Sequence, residues 1–348
     1  MTIEIAGRAI GNTHAPYMIA EVSGNHKGRI DTALAIMEAA KNSGADAVKL
    51  QTYTADTITI DHDGEGFVVE GGLWAGRKLY DLYDEAHTPW SWHARLFEKG
   101  RELGITVFSS PFDTTAVDFL EELDAPAYKI ASFEVVDLPL IAYTAQTGKP
   151  LIISTGMADL EEIGQAVETA REAGCQQLVL LHCVSGYPTP INESNLATIT
   201  ELREIFKTDV GLSDHSLTTV SAAAATALGA TVIEKHLTLD RDAGGPDAAF
   251  SLEPDEFRQL CEDCRTAWNA IGRPGFDRKN SEQDNAIFRR SLYAVKDISK
   301  NEPLTRKNIR SIRPGYGLEP KYFENVLGKR STQDIQRGTP LRWDLFKQ

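Results

Sequence analysis

The chain has 348 residues, of which 42% are hydrophobic and 25% charged, with a formal net charge of -14; these are the proportions of an ordinary globular protein. Its length suits one barrel of about 250 residues with a small appendage. The acidic balance argues against nucleic acid, whose phosphates are bound by basic surfaces, yet leaves room for a small anion held by a few local lysines.

The predicted elements repeat. Eight short apolar runs, at 17–22, 47–50, 106–108, 127–130, 151–153, 178–181, 210–212 and 232–233, each end on polar or charged side chains. Amphipathic stretches separate them. In 32–43, Leu34, Met37 and Ala40 share one face and Gly44 follows as a stop. The spans 160–173, 196–206, 220–228 and 254–271 are similar. A β-α unit repeated eight times predicts an α/β fold, a parallel (β/α)8 TIM barrel over residues 1–271, whose C-terminal strand ends face the active site. The one long connection, 53–90, carries Phe67, Trp74, Tyr80, Tyr83 and Trp90. It reads as a lid or substrate wall, or else as a β-hairpin extension packed on the rim. Residues 272–285 are rich in Gly, charge and amides and read as a linker; 286–348 read as a compact, mostly β domain near the lower size limit for independent stability.

The strand ends hold the chemistry. His215 and His236 close the seventh and eighth runs. Neighbouring barrel strands lie about 4.8 Å apart, so both rings can share one divalent ion. Alternation places Ser213 with His215, and Glu234 with His236; the plainer alternative has a histidine bonded to a carboxylate such as Asp214. Lys49 and Lys129 emerge from strands two and four, ringed by Ser110, Ser132, Ser154, Ser185 and Ser213. Such a cradle suits a small phosphorylated acid. One lysine as a Schiff-base nucleophile is a rival reading. A third pairs the lysines with Glu21 and Glu234 for stability, which their desolvation cost disfavours. Glu21 is placed as general acid or base. Asp247 either holds a hydroxylated substrate or caps a turn. The Cys261/Cys264 pair lies on one helix face with no second pair to make a zinc site. With only two further cysteines, Cys175 and Cys183, no leader pattern and no run near 20 apolar residues, a cytoplasmic protein is expected.

The segments 20–26 (AEVSGNH), 48–51 (VKLQ), 128–132 (YKIAS), 153–157 (ISTGM), 211–215 (GLSDH), 233–236 (IEKH) and 245–247 (GPD) together resemble the sialic acid synthase family, and the C-terminal piece resembles that family's antifreeze-like (SAF) domain, with Arg313-Pro314-Gly315 at its signature position. The resemblance implies condensation of phosphoenolpyruvate with an amino sugar, a divalent cation (manganese or magnesium) on His215 and His236, and Glu21 as acid/base residue. It implies that Lys49, Lys129, Ser132, Ser154, Ser185 and Ser213 hold phosphoenolpyruvate. Gln51, Tyr187 and Asp247 would face the sugar, joined by Arg313 of the partner subunit in a swapped homodimer. Ser185-Gly186-Tyr187-Pro188, the absence of His after Asp247, and the aromatic insertion resemble most the pseudaminic acid synthase branch, with the N-acetylneuraminate and legionaminate branches as near alternatives. A Schiff-base aldolase and a non-catalytic binding protein are the remote ones.

Overall fold

The computed structural model describes residues 3–347, and the chain divides into two compact units after Gly272. In the first unit eight parallel strands close on themselves: β1 (Tyr17–Glu21), β2 (Ala47–Thr52), β3 (Thr106–Pro111), β4 (Tyr128–Ile130), β5 (Leu151–Ser154), β6 (Leu178–Cys183), β7 (Asp209–Asp214) and β8 (Val232–His236), the last pairing with the first. This is the (β/α)8 TIM barrel that the repeating pattern predicts.

Side chains alternate along each strand, so one set fills the barrel and the other meets the helices. The lower interior is apolar: Tyr17, Ile19, Phe108, Ile152, Leu181 and Val232 cluster with Ile3, Ile5 and Ile10. Those isoleucines come from an antiparallel hairpin, Ile3–Ile5 with Arg8–Ile10, that stoppers the barrel floor. No periodicity in the sequence marks it. At Gly211 an added Cβ would collide with the Val232 carbonyl and the Leu181 side chain, so glycine lets β7 close against its neighbours. Outside, Met18, Leu50, Ile130, Leu180 and Ile233 pack under helices such as Ile30–Asn42 and Pro254–Ile271.

Polar groups in this outer layer are hydrogen-bonded to one another. His93 Nε2 lies 2.8 Å from Thr52 Oγ1, which lies 2.6 Å from Ser109 Oγ. His26 Nε2 lies 3.3 Å from Thr88 Oγ1, with the ring edge-on to Trp92. Both imidazoles are fully buried, and burial pulls each down to about 4. A histidine whose folded pKa is depressed takes up its proton more readily when unfolded. Stability is therefore intact above about pH 6.5 and falls as the pH drops toward 4, by about 3 kcal/mol per histidine at the lower end. Urea midpoints compared at pH 7 and pH 4.5 check this; a His93→Gln variant should lose part of the difference.

Within the insertion after β2 a short antiparallel hairpin joins 67–69 to 76–79, with Val69 N–H donating to the Arg77 carbonyl and Leu79 N–H to the Phe67 carbonyl, each at 2.9 Å. It follows the short helix Ala55–Ile58 and leads into Leu79–Ala86. In the second unit β9 (Ser291–Ala294) pairs antiparallel with β10 (Ile309–Ile312), and bridges such as Ile298–Ile335 and Ser331–Phe346 surround a separate core that includes Leu292, Leu304, Val326 and Leu341. Residues 272–285, where the sequence shows no apolar period, contain the 3-10 turn Asn280–Glu282 and the start of another, Asp284–Phe288. Among the described residues no helix is long and apolar enough to cross a membrane.

Candidate active site

The parallel register brings the strand tips together by type. Glu21 on β1 stands beside His236 of β8 and Lys49 of β2; Glu234 stands beside Ser213 of β7; Gln51 stands beside Ser110 of β3. Above them opens a cavity of about 420 Å³. Lys49, Lys129, Ser132, Ser154 and Ser213 line its floor, and His215, His236, Gln51, Tyr187 and Asp247 also face it. Four predicted residues, Ser110, Glu21, Ser185 and Arg313, do not line it. Glu21 is fully buried behind Lys49 and Gln51. Ser185 lies close to Gly156, where an added Cβ would strike both Ser185 and Ser132. Arg313 belongs to the second unit, immediately after β10, and is exposed.

The floor is a buried charge cluster. Lys49 Nζ lies 3.0 Å from Glu21 Oε2 and 3.0 Å from Glu234 Oε1, while Lys129 Nζ is 3.7 Å from Glu234 Oε1. The ion pairing that desolvation argued against is thus present, because two cations and two anions in contact offset one another's burial. The carboxylates are not equivalent. Glu234 has both lysines and the Ser213 hydroxyl at 3.0 Å, and these outweigh burial to hold it below the usual carboxylate range. Glu21 shares only Lys49, accepts from Ser23 N–H and the Gln51 amide, and is pushed up by burial. Lys49 is raised, its two carboxylate partners outweighing burial. Of the two carboxylates, Glu21 is therefore the weaker acid. Burial pulls Lys129 down to about 8. The Ser154 hydroxyl in the cavity floor is buried without a hydrogen-bond partner, as are those of Ser110 and Ser185 outside the lining, so Ser154 stands ready to donate to an anion.

The centroids of His215 and His236 are 5.3 Å apart. His236 Nδ1 is buried without a partner, and burial holds this ring well below its ordinary value, hence neutral. His215 Nδ1 donates to the Val184 carbonyl at 3.2 Å, which leaves Nε2 with its lone pair. Burial is outweighed at His215 by the Cys183 thiol 3.8 Å away and by that carbonyl, so the ring is raised. Asp214, the carboxylate considered as a histidine partner, is instead paired with Lys235. Among the described residues no cluster of three His, Cys, Asp or Glu forms a metal site. Two imidazoles fit a divalent cation that takes its remaining ligands from water and substrate oxygens. The wall beside the imidazoles is apolar and aromatic. Trp74, Tyr187 and Phe250 pack in sequence, with centroids 5.6 and 5.0 Å apart, and Phe250 lies 4.9 Å from His236. Ile58, Val69, Leu79 and Leu82 continue that wall.

A model described as the NeuB family matches residues 36–275, and a SAF domain model matches 289–347. The chain belongs to the NeuB family. It is 45% identical over 331 residues to a pseudaminic acid synthase of Campylobacter jejuni subsp. jejuni serotype O:2, covering 95% of this chain and 96% of that one. To the N,N'-diacetyllegionaminic acid synthase of the same organism it is 37% identical over 328 residues, covering 93% and 98%. Among solved structures, the spore coat polysaccharide biosynthesis protein SpsE of Bacillus subtilis superposes with a TM-score of 0.68 at 32% identity, over 100% of this chain and 99% of the other.

This NeuB-family site includes groups that the strand ends did not announce. Glu134, in the turn Ser132–Glu134 after β4, lines the cavity with Oε2 unpartnered, and burial pushes it up to about 7. Its signal is faint: a carboxylate two residues beyond a strand-end serine. The Ser23 hydroxyl and Gly24 N–H donate to Asp247, fastening the turn after β8 to the turn after β1. Asp247 makes no side-chain cap for the 3-10 turn Ala248–Phe250. Of the insertion's aromatics, Trp74 and Tyr83 face the cavity together with Tyr53. Phe67 packs on His62, Tyr80 donates to Asp56, and Trp90 stacks on Phe119. The insertion is therefore both wall and rim.

Proposed function

We propose that this chain is a pseudaminic acid synthase that condenses phosphoenolpyruvate with 2,4-diacetamido-2,4,6-trideoxy-L-altrose to give pseudaminic acid and phosphate. One observation carries the reading: a single cavity with a cationic, hydroxyl-rich floor and an apolar, aromatic wall. The floor suits the phosphate and carboxylate of phosphoenolpyruvate on Lys49, Lys129, Ser132, Ser154 and Ser213, without Ser185, which lies outside the lining. The wall suits the methyl groups of a 6-deoxy, diacetamido sugar, which would strand a hydroxyl in the same place. Gln51, Tyr187 and Asp247 would orient the open-chain sugar.

In the reaction C3 of phosphoenolpyruvate bonds to the sugar aldehyde carbon, water adds to C2, and the C2–O bond to phosphate breaks. The aldehyde oxygen gains a proton, while the water gives up one proton as it adds and its second as C2 becomes a carbonyl and phosphate departs carrying a proton. Glu21 and Glu134, both raised by burial, are the groups suited to exchange them near neutral pH. A divalent cation held by His215 and His236 would supply Lewis acidity at the aldehyde. The reading extends to a homodimer in which Arg313 of the partner subunit reaches the sugar, and to the cytoplasm, where four free cysteines stay reduced. Phosphate release from phosphoenolpyruvate with manganese and each candidate sugar tests it. Turnover of N-acetylmannosamine or of the legionaminate precursor in preference to the altrose sugar would overturn it.

A further inference from the structure

Outward-facing positions of β7 and β8 meet the helices and are apolar at Val210, Leu212 and Ile233. At the next level the same layer holds two charges. Asp214 and Lys235 are register partners, 5% and 0% exposed, with Lys235 Nζ 2.7 Å from Asp214 Oδ2. Each precedes one of the two facing imidazoles, His215 and His236. Lys235 also donates to the Ser216 carbonyl, and lies 3.4 Å from Ser216 Oγ and 3.5 Å from the Thr218 carbonyl. Asp214 accepts from Ser216 N–H at 2.9 Å, from Ser216 Oγ at 3.1 Å and from Ser221 Oγ at 2.7 Å, the last in the helix Val220–Ala227. Every polar contact beyond the pair itself leads into the loop that follows His215 or the first turn of the helix that ends it. An aliphatic pair would fill this layer without taking two charges out of water, so filling the layer does not account for the ions.

We propose that the Asp214–Lys235 pair is a positioning device that clips the loop after His215 to β8 and thereby sets the spacing of His215 and His236 for a shared divalent cation. Neither residue touches substrate or cation; both act through the backbone on either side of the imidazoles, as outer-shell partners do at metal sites. The inference rests on reading His215 and His236 as cation ligands, and the experiment separates the two claims.

Manganese affinity of the full-length, metal-free protein is measured by calorimetry, with thermal unfolding and phosphoenolpyruvate affinity recorded alongside. The variants are Lys235→Met, the double change Asp214→Leu/Lys235→Met, and His236→Ala as a ligand control. The double variant leaves no buried charge unpaired, so it keeps the test open if Lys235→Met alone fails to fold. Its midpoint should exceed that of Lys235→Met, its manganese affinity should fall by about 10- to 100-fold, and its phosphoenolpyruvate affinity should not change. Unaltered manganese affinity in the double variant would overturn the positioning role. If the unaltered protein binds no manganese, or His236→Ala binds it equally well, the ligand assignment fails and the proposal with it.

Discussion

Replacing Glu21 with Gln is expected to lower kcat by ~10²–10⁴-fold, the range lost with a general acid or base, with a much smaller change in the KM for phosphoenolpyruvate. Gln keeps the size of the side chain and an oxygen for Ser23 N–H, which donates to Glu21 Oε1 at 2.9 Å. Lys49 keeps Glu234 at 3.0 Å, so its charge stays paired and in place. What disappears is a proton-exchanging group. Glu21 is the weaker acid of the two carboxylates on Lys49, and it stands behind Lys49 and Gln51 rather than in the cavity wall. Its proton must therefore pass through those neighbours or a water between them. The same variant should lose one limb of the pH–rate profile. A fall of less than tenfold would leave Glu21 only as a charge partner for Lys49.

Lys129→Met should separate activity from stability. Lys129 is 1% exposed, and its amine lies 3.7 Å from Glu234 and 3.1 Å from the Ile130 carbonyl. Burial pulls it down to about 8. Below that pH the folded protein carries a charge that the unfolded chain holds more cheaply, at a cost of about 3 kcal/mol that is relieved as the pH rises from 8 toward 10.5. Methionine removes this cost, and Glu234 retains Lys49, so the unfolding midpoint should hold or rise. Activity should not survive. Phosphoenolpyruvate would enter a floor with one cation fewer, and the loss of a preorganised charged donor lowers kcat/KM by ~10²–10³-fold. A depressed amine would also suit a Schiff base, but borohydride with pyruvate should label nothing; trapping on Lys129 would favour the aldolase.

The barrel was legible because each strand's apolar run and polar end lie within a few neighbouring residues, so the pattern survives in one dimension. The floor hairpin was not: Ile3, Ile5 and Ile10 sit in three-residue strands and acquire meaning only against the barrel interior. The site followed the same rule. Lys49, Lys129, His215 and His236 stand at strand tips and were readable there, whereas Glu134 lies one turn beyond. The pairing of Ser23 with Asp247 joins positions 224 apart. Asp214 and Lys235 alternate with the site residues and point the other way, into a layer where sequence pattern predicts only apolar packing. The contacts of Trp74 with Tyr187, and of its indole N–H with the Pro246 carbonyl at 2.8 Å, depend on a long loop whose path no periodicity sets.

That loop and the turn it touches choose the sugar in this account, so the direct measurement is the ratio of kcat/KM for 2,4-diacetamido-2,4,6-trideoxy-L-altrose to that for N-acetylmannosamine, at saturating phosphoenolpyruvate and manganese. An apolar wall facing methyl groups predicts a ratio of about 10² or more. A ratio of one or less would contradict the assignment of the wall, and with it the identity of the substrate.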